Sequence, residues 1–163
     1  MLKFSPSPKA KLLLIRDAIP NDIPAMIVLE RRAESAAHWT DSTYQAFFRE
    51  HAPRRIVLVA QRNESLLGFV VARAVDREWE IENLVVAAEA RRQGVGFRLI
   101  QELTSQIQAQ GGHRIQLEVR NSNSAARALY SKLGFSSSGI RARYYKEPEE
   151  TAICLSLQLK SST

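Results

Sequence analysis

The sequence predicts an α/β fold in which one mixed sheet of six to seven strands carries helices on both faces. The 163 residues, 45% of them hydrophobic, correspond to one ordinary domain with a single sizeable core. Strand and helix patterns alternate in the order β α α β β β α β α β β, and no linker divides them. The strand–helix–strand–helix run in the second half implies a parallel crossover, which makes the sheet mixed.

The chain opens on a polar segment. Residues 1–10 include two prolines and lack the apolar core of a secretory signal, so they predict a flexible lead-in. The predicted domain spans 11–160, and its first strand covers 11–16.

Two helices are predicted next. Asn21 and Asp22 can cap the first, which has Pro24 in its first turn. The second follows Thr40-Asp41 and carries three aromatic residues on one side, namely Tyr44, Phe47 and Phe48.

Three consecutive strands form the centre of the predicted sheet. The β-branched run at 55–60 and the apolar run at 66–74 flank a turn at 63–65, so they predict a hairpin. The chain then turns at 76–78 into a further strand over 79–86.

The second half alternates helix and strand. A helix begins at Gly94 and ends at Gly111-Gly112, and four apolar residues recur on one of its faces: Val95, Leu99, Leu103 and Ile107. The remaining predicted elements are a strand over 115–119, a helix over 124–133 capped by Asn123 or Ser122, and strands over 139–145 and 151–159.

The net charge is +6, and most of the positive charge is arginine. This balance is compatible with nucleic acid, a phosphorylated cofactor or an acidic partner. The sequence lacks the interleaved aromatic and basic residues of single-strand platforms, so we expect no nucleic-acid partner. No apolar run approaches the roughly 20 residues that cross a bilayer, so we expect no membrane partner.

The number and spacing of the cysteine and histidine residues argue against a metal site. The single cysteine, Cys154, excludes an internal disulfide and a thiolate zinc cluster, and it favours a cytoplasmic location. Cys154 lies in an apolar strand and is predicted to be core. His38, His51 and His113 do not have the spacing of a metal site, and no metal is predicted.

The segment Arg91-Arg-Gln-Gly-Val-Gly96 lies between a predicted strand and a predicted helix. Glycines let the backbone approach a ligand, and the first amides of a helix form an anion site that a pyrophosphate would fit. A Walker loop would continue with Lys-Ser/Thr, whereas Phe97-Arg98 follow here, and a Rossmann fingerprint needs a third glycine. On these six residues alone, a tight helix start without a ligand is the alternative.

Two motifs carry a family resemblance. Arg91-x-x-Gly94-x-Gly96, after Glu82-Asn-Leu-Val-Val86, resembles the acetyl-CoA motif of the GNAT superfamily of N-acetyltransferases. About 30 residues later, Asn123-Ser-Ala-Ala-Arg-Ala-Leu-Tyr-Ser-Lys-Leu-Gly-Phe135 resembles the second signature of that family. The resemblance implies the GNAT fold, acetyl-CoA as co-substrate and transfer of its acetyl group to an amine.

The resemblance also implies where the cofactor binds. Strand 82–86 would splay from strand 115–120, and the pantetheine arm would lie in this V-shaped opening. The implied cofactor-binding residues are Leu84, Val85, Val86, Arg91, Arg92, Gln93, Gly94, Val95, Gly96, Asn123 and Tyr130. For Asn123 a plain helix cap is the alternative.

Two residues are candidates for catalysis. The family often uses the tyrosine at the position of Tyr130 to protonate the departing sulfur; the alternative is a core aromatic. Glu118 projects away from its apolar neighbours on the strand. In the RimI-like branch, whose Leu-Glu-Val-Arg strand the segment 117–120 resembles, this glutamate is the general base. Glu80 and Glu82 on the neighbouring strand are the alternative bases.

The resemblance to the RimI-like ribosomal-protein alanine N-acetyltransferases covers about residues 12–159. His38-Trp-Thr-Asp41 and Ile140-Arg-Ala-Arg-Tyr-Tyr145 carry it on the acceptor side. The sequence departs from that branch at four places: Lys146 replaces a proline, the loop 146–151 is short, Glu34-Ser-Ala-Ala37 replaces a Cys-Phe-Pro stretch, and Glu82 stands where an apolar residue is usual.

The implied acceptor is the N-terminal α-amine of a ribosomal protein that begins with alanine or serine. Two alternatives stay open. A small amine as acceptor predicts a pocket closed around it, and a weakly catalytic acetyl-CoA-binding or interaction module predicts that Glu118 and Tyr130 are dispensable.

Overall fold

The computed structural model describes residues 12–34 and 36–161, so the predicted lead-in at 1–10 lies outside the described residues. The strands are β1 Leu14–Asp17, β2 Arg55–Arg62, β3 Ser65–Val75, β4 Glu78–Val86, β5 Arg114–Arg120, β6 Ser136–Lys146 and β7 Glu149–Gln158. The helices are α1 Ile23–Arg31, α2 Asp41–Ala46, α3 Val95–Ala109 and α4 Ser124–Lys132. Within these ranges no helix has the length and apolar character to cross a membrane.

All seven strands form one sheet in the order β1-β2-β3-β4-β5-β7-β6. Every neighbouring pair is antiparallel except β4 and β5, which are parallel. The parallel pair requires a crossover, and α3 provides it. The sheet is therefore mixed, and the predicted α/β fold is confirmed.

Helices cover both faces of the sheet, as predicted. On one face, the apolar side of α3 packs on β2, β3, β4 and β5 in the α3 core, which includes Leu58, Val70, Leu99, Leu103 and Ile115. On the other face, α1 and α2 pack on β2, β3 and β4 in the α1 core, which includes Met26, Ile27, Tyr44, Phe69 and Val85. Each such side chain, fully removed from water, stabilises the fold by about 1.5–3 kcal/mol.

The start of α1 differs from the prediction. Asp22 stands at the N-cap position, but its carboxylate makes no cap hydrogen bond to the helix. It instead accepts two hydrogen bonds from the Arg16 guanidinium, both at 2.8 Å, and one from the Ile19 amide. A short 3₁₀ turn over Pro20–Asp22 makes this possible, because it folds the chain back toward β1. Asp22 therefore ties α1 to β1.

The strand β4 contains a β-bulge at Glu82. Val71 of β3 pairs with Asn83, whereas the next residue, Ala72, pairs with Ile81, so Glu82 has no partner of its own. A bulge changes the face to which the following side chains point. Ile81 belongs to the α3 core, whereas Val85 belongs to the α1 core.

The parallel pairing of β4 with β5 is short. It joins Glu78–Glu80 to Arg114–Gln116 and goes no further. Beyond Glu80 and Gln116 the two strands separate, while β4 stays paired with β3 and β5 stays paired with β7. The predicted V-shaped opening is therefore present, and it creates a cleft between β4 and β5 in the middle of the sheet.

Candidate active site

A cleft of about 1300 Å³ opens where β4 and β5 separate. Its lining comes from β4, the loop before α3, the first turn of α3, β5, α4, the segment between α1 and α2, and the end of β6. The cleft contains every predicted site residue except one: Glu118, Leu84, Val85, Val86, Arg91, Arg92, Gly94, Val95, Gly96, Asn123 and Tyr130. The exception is Gln93, which does not line it.

The loop before α3 presents free backbone amides. Arg92 and Gly94 both have left-handed backbone conformations, with φ of 62° and 78°. The Arg98 amide donates to the Gly94 carbonyl and closes the first turn of α3. Among the described residues, the amides of 92–97 make no backbone hydrogen bond, and for 94–97 the geometry of a helix start requires this. These amides and the helix dipole favour an anion at this place.

The two glycines of the loop serve different purposes. Gly94 is required for its backbone conformation, because φ is +78°. Space is not the reason, since a Cβ there would meet nothing within 4 Å. A Cβ at Gly96 would lie 3.1 Å from Leu129 of α4 and 3.6 Å from Val86 of β4. Gly96 therefore lets α3 approach α4 and β4 closely at the cleft.

The side chain of Gln93 braces the loop from outside. Its amide oxygen accepts from Arg62 at 3.0 Å, and its amide nitrogen donates to the Glu89 carbonyl at 3.0 Å. Arg62 ends β2, so the hairpin between β2 and β3 supports the loop. Gln93 can contribute its backbone amide to a ligand while its side chain holds the loop shape.

The edge of β4 that faces the cleft lacks a strand partner. Leu84, Val85 and Val86 pair on their other side with Val70, Phe69 and Gly68 of β3, which fixes their position. Because β5 has separated here, the backbone groups that point toward it can bind an extended ligand, as a sheet edge binds a peptide. This is where the family resemblance implies the pantetheine arm.

Glu118 lies on β5, two residues beyond the last pair with β4. Its side chain is 21% exposed, and its Oε1 is 3.1 Å from the Arg141 guanidinium, whose side chain is 59% exposed. The Tyr144 hydroxyl also faces this carboxylate, which raises the pKa of Tyr144. The carboxylate is thus held at the cleft surface by groups from β6.

Tyr130 lies on α4, and its ring is buried at 5% exposure while still lining the cleft. The ring packs edge-to-face against Phe135, with centroids 5.4 Å apart. Burial, and to a smaller degree Tyr145, raise the pKa of Tyr130 further above the neutral range, in which a phenol is already protonated. A protonated phenol beside the cleft can donate a proton. Tyr130 is therefore both a buried aromatic residue of the core and part of the cleft lining.

Asn123 caps α4, as predicted, because its side-chain oxygen accepts from the Ala126 amide at 3.2 Å. It also lines the cleft. The cap uses only the oxygen, so the side-chain nitrogen has hydrogen-bonding capacity for a ligand.

The alternative bases Glu80 and Glu82 both lie in arginine ion pairs. Glu82 is 2.9 Å from Arg55 and 3.6 Å from Arg73, and Glu80 is 3.0 Å from Arg73. The unusual Glu82 occupies the bulge of β4, where these arginines neutralise it. Two arginines hold Glu82, whereas one well-exposed arginine holds Glu118.

Several residues in the cleft or behind its lining were not singled out in the sequence; Glu30 is one of those behind the lining. Glu30 on α1 is buried and accepts hydrogen bonds from the Trp39 amide and from Asn83 of β4. Arg120 stacks over the Tyr145 ring at 4.1 Å. Burial and the Glu118 carboxylate raise the pKa of Tyr145 to about 12. The signal for Asn83 was present, since it interrupts an apolar strand, but its partner is 53 positions away.

Cys154 differs from its prediction. It is half-buried, whereas its neighbours Ile153 and Leu155 belong to the α3 core. The alternation of β7 places Cys154 on the opposite face, where it pairs with Glu118 across the strands. The histidines His38, His51 and His113 are all exposed.

Comparison with known proteins agrees with this geometry. The profile of the acetyltransferase (GNAT) family matches residues 23–135. The chain is 33% identical over 140 residues to the [ribosomal protein bS18]-alanine N-acetyltransferase of Salmonella typhimurium, an alignment that covers 85% of this chain and 92% of that protein. It is 32% identical to the enzyme of the same name from Escherichia coli, with the same coverage.

Solved structures agree as well. The ribosomal-protein-S18-alanine N-acetyltransferase of Escherichia coli superposes with a TM-score of 0.82 at 29% identity, covering 93% of this chain and 97% of that one. Ard1 from Thermoplasma volcanium superposes with a TM-score of 0.81 at 25% identity, covering 91% of this chain and 99% of that one. With the family profile spanning most of the domain and relatives above 30% identity over most of its length, the chain belongs to the GNAT family and is an acetyl-CoA-dependent N-acetyltransferase.

Proposed function

We propose that this chain acetylates the free N-terminal α-amine of a protein, with a ribosomal protein that begins with alanine or serine as acceptor. The observation that carries the proposal is the meeting of Glu118 and Tyr130 at one cleft, beyond the point where β4 and β5 separate. The names of the relatives, which are bS18-alanine N-acetyltransferases, support the acceptor class.

Acetyl-CoA fits the donor side of the cleft. Its pyrophosphate would accept hydrogen bonds from the free amides of 92–96, and Arg91 and Arg92, which are exposed, add positive charge there. The pantetheine arm would follow the free edge of β4 at 84–86, near Asn123. The acetyl group would then lie where the two strands diverge, within reach of β5 and α4.

Glu118 is the proposed general base. An α-amine has a pKa of roughly 8, so a carboxylate acting directly or through water can take its proton near neutral pH. The neutral nitrogen attacks the acetyl carbonyl carbon, and backbone amides of β4 stabilise the negative charge that develops on the oxygen. The carbon–sulfur bond then breaks.

Tyr130 is the proposed general acid. Its hydroxyl, which like any phenol carries its proton near neutral pH, gives that proton to the departing CoA sulfur. Two protons leave the amine nitrogen, one before the attack and one from the tetrahedral intermediate. Glu118 takes each in turn and passes it to solvent, from which Tyr130 regains its own proton. The products are the amide, CoA with a free thiol and one proton released to solvent, so atoms and charges balance.

The shape of the cleft favours a peptide over a small amine. The opening of about 1300 Å³ continues past the strand separation to Tyr144, Tyr145 and Glu147 of the β6–β7 hairpin. A small acceptor would need walls around it, whereas this opening leaves room for the residues that follow an N-terminal amine.

The test is CoA release by the purified protein with acetyl-CoA. The panel contains peptides with free Ala, Ser and Met N-termini, the same peptides blocked at the N-terminus but carrying lysine, and several small amines. We expect activity on the free Ala and Ser peptides and none on the blocked ones. Activity only on small amines would contradict the acceptor, and silence with tight acetyl-CoA binding would favour a non-catalytic module.

A further inference from the structure

The proposed mechanism leaves one buried carboxylate unused. Glu30 on α1 is 1% exposed, and its Oε1 accepts hydrogen bonds from the Trp39 amide at 2.9 Å and from the Asn83 side chain at 3.2 Å. Burying a carboxylate costs free energy unless hydrogen bonds compensate. The two bonds join parts of the chain that are distant in sequence, so the carboxylate acts as a bridge between them.

One end of this bridge is the segment between α1 and α2. Its residues Ala36, Ala37, His38 and Trp39, which we call the acceptor wall, line the cleft. Neither a helix nor a strand includes them. His38 has a φ of +54°, so the wall bends sharply just before Trp39. A wall of this kind needs contacts from elsewhere to keep one position.

The other end of the bridge is β4. Asn83 lines the cleft immediately before Leu84, where the free edge of the strand begins to face the proposed pantetheine arm. Its side chain points to the α1 side because of the bulge at Glu82. Glu30 therefore contacts the strand that bears the donor and the wall that faces it.

Ala36 and Trp39 of the acceptor wall pack against the α1 core, but few other hydrogen bonds hold the wall. Among the described residues, its backbone hydrogen bonds are Ala36 N to the Ala33 carbonyl at 3.4 Å and the bond from Trp39 to Glu30. The Trp39 ring packs edge-to-face on Tyr44 and Phe47, at 5.6 and 5.3 Å. The aromatic contacts hold the Trp39 ring, whereas the hydrogen bond to Glu30 fixes the position of the Trp39 backbone relative to α1.

We propose that Glu30 is a positioning residue that fixes the acceptor wall relative to β4 and so sets the geometry in which the acceptor amine meets the acetyl group. The inference rests on the proposed function, since it takes the wall as part of the acceptor site. Glu30 touches neither substrate. Its effect falls on acceptor binding, because β4 keeps its place through β3 when the bridge is lost.

Two nearly isosteric variants test this role. Glu30→Gln keeps an oxygen that can accept both hydrogen bonds, whereas Glu30→Met fills a similar volume but has no oxygen to accept them. With the best peptide of the panel, we expect Glu30→Met to raise the acceptor KM roughly tenfold or more, since small misplacements of a bound substrate have effects of this size. The acetyl-CoA Kd should stay within about twofold, and Glu30→Gln should resemble the wild type.

Asp22→Asn is the matched control. Among the described residues Asp22 is the other buried acid; it lies at the opposite end of α1 from Glu30 and accepts hydrogen bonds from Arg16 and Ile19, and it contacts neither the acceptor wall nor Asn83. It should lower the melting temperature without changing the acceptor KM. An unchanged KM in Glu30→Met, an equal defect in Glu30→Gln, or an equal rise in Asp22→Asn would each overturn the proposal.

A fluorescence measurement separates this proposal from the acceptor assignment. Trp39 and Trp79 are the two tryptophans, and each variant is compared with its Trp39→Phe counterpart to isolate the Trp39 signal. We expect acrylamide to quench Trp39 more strongly in Glu30→Met than in the wild type, Glu30→Gln or Asp22→Asn. This readout needs no acceptor, so it tests the bridge even if no peptide is acetylated; equal quenching in all four would overturn it.

Discussion

Tyr130 and Glu118 meet the cleft in different surroundings. The tyrosine is buried against Phe135, whereas the carboxylate reaches the cleft surface beside Arg141. The phenol carries its proton near neutral pH and can act as the donor, and partial exposure lets the carboxylate exchange protons with water. The two residues can therefore divide the acid and base roles without sharing a proton.

Tyr130→Phe should lower kcat by about 10²–10⁴-fold, the usual contribution of a general acid. The ring keeps its contact with Phe135, so the melting temperature and the acetyl-CoA Kd should change little. Steady-state kinetics measure kcat, calorimetric titration measures the acetyl-CoA Kd, and a thermal melt gives the melting temperature. Turnover equal to that of the wild type would remove Tyr130 from the mechanism.

Glu118→Gln should lose rate near neutral pH and recover part of it at higher pH, because the acceptor amine must then lose its proton unaided. The measurement is the pH profile of kcat/KM. Glu80→Gln and Glu82→Gln are the matched controls, since both carboxylates line the cleft and pair with arginine as Glu118 does, but lie on β4 instead of β5. If Glu118→Gln kept the wild-type pH profile of kcat/KM and Glu80→Gln or Glu82→Gln lost rate, the general base would be the glutamate of β4.

The residues of the site differ in how far sequence alone could reach them. The helix start at 91–96 and the cap at Asn123 were predictable because glycines and caps act locally, whereas their assignment to the cofactor came from the family resemblance. Glu30 and Asn83 were not, because each is ambiguous alone: a glutamate in a helix is usually exposed, and an asparagine in a strand has many explanations. Only the packing of α1 on β4 brings them together.

At the scale of elements, local signals placed every helix and strand, and the errors lie at their ends. β6 begins at Ser136, three residues before the predicted start, because pairing with β7 extends over polar residues that show no apolar alternation. Asp22 was predicted to cap α1, but its partner Arg16 competes for the carboxylate. Capping rules consider neighbours in sequence, and this partner comes from β1.

The loop before α3 offers a test with a closely matched control. Gly94 and Gly111 flank α3, have φ of +78° and +77°, and have open space where a Cβ would lie. Alanine at either position should cost about 1–2 kcal/mol of stability through backbone strain. Only Gly94→Ala should weaken acetyl-CoA binding, several-fold by titration, because Gly111 is remote from the cleft lining. Equal Kd values in the two variants would contradict the phosphate role of the loop.

At the scale of the whole molecule, the sheet order follows from the crossover at α3 and from hairpins between neighbouring strands. The sequence pattern predicted the number and kinds of elements. It could not give the order β5-β7-β6, because β7 inserts between β5 and β6 through pairings that reach back about 40 residues. The separation of β4 from β5 came from family resemblance alone, since neither strand carries a local sign of it.

The ion pair between Arg16 and Asp22 makes the stability of the domain depend on pH. The hydrogen bond from Arg16 lowers the pKa of Asp22, although burial opposes it. A lowered folded-state pKa contributes stability above the unfolded value near 4, and that stability is lost as pH falls through the folded-state pKa. Asp22→Asn should therefore cost about 1–2 kcal/mol at pH 7 and much less near pH 2. Urea unfolding at both pH values checks this; an equal loss at both would contradict it.

The bulge at Glu82 also bears on how the chain finds its fold. Without the extra residue, β4 could pair with β3 in a regular register, and its side chains beyond Ile81 would exchange faces. Asn83 would then enter the α3 core without a partner, and Glu30 would keep only the Trp39 amide. The bulged register satisfies both groups, so the pair that joins the acceptor wall to β4 also favours the correct strand alignment.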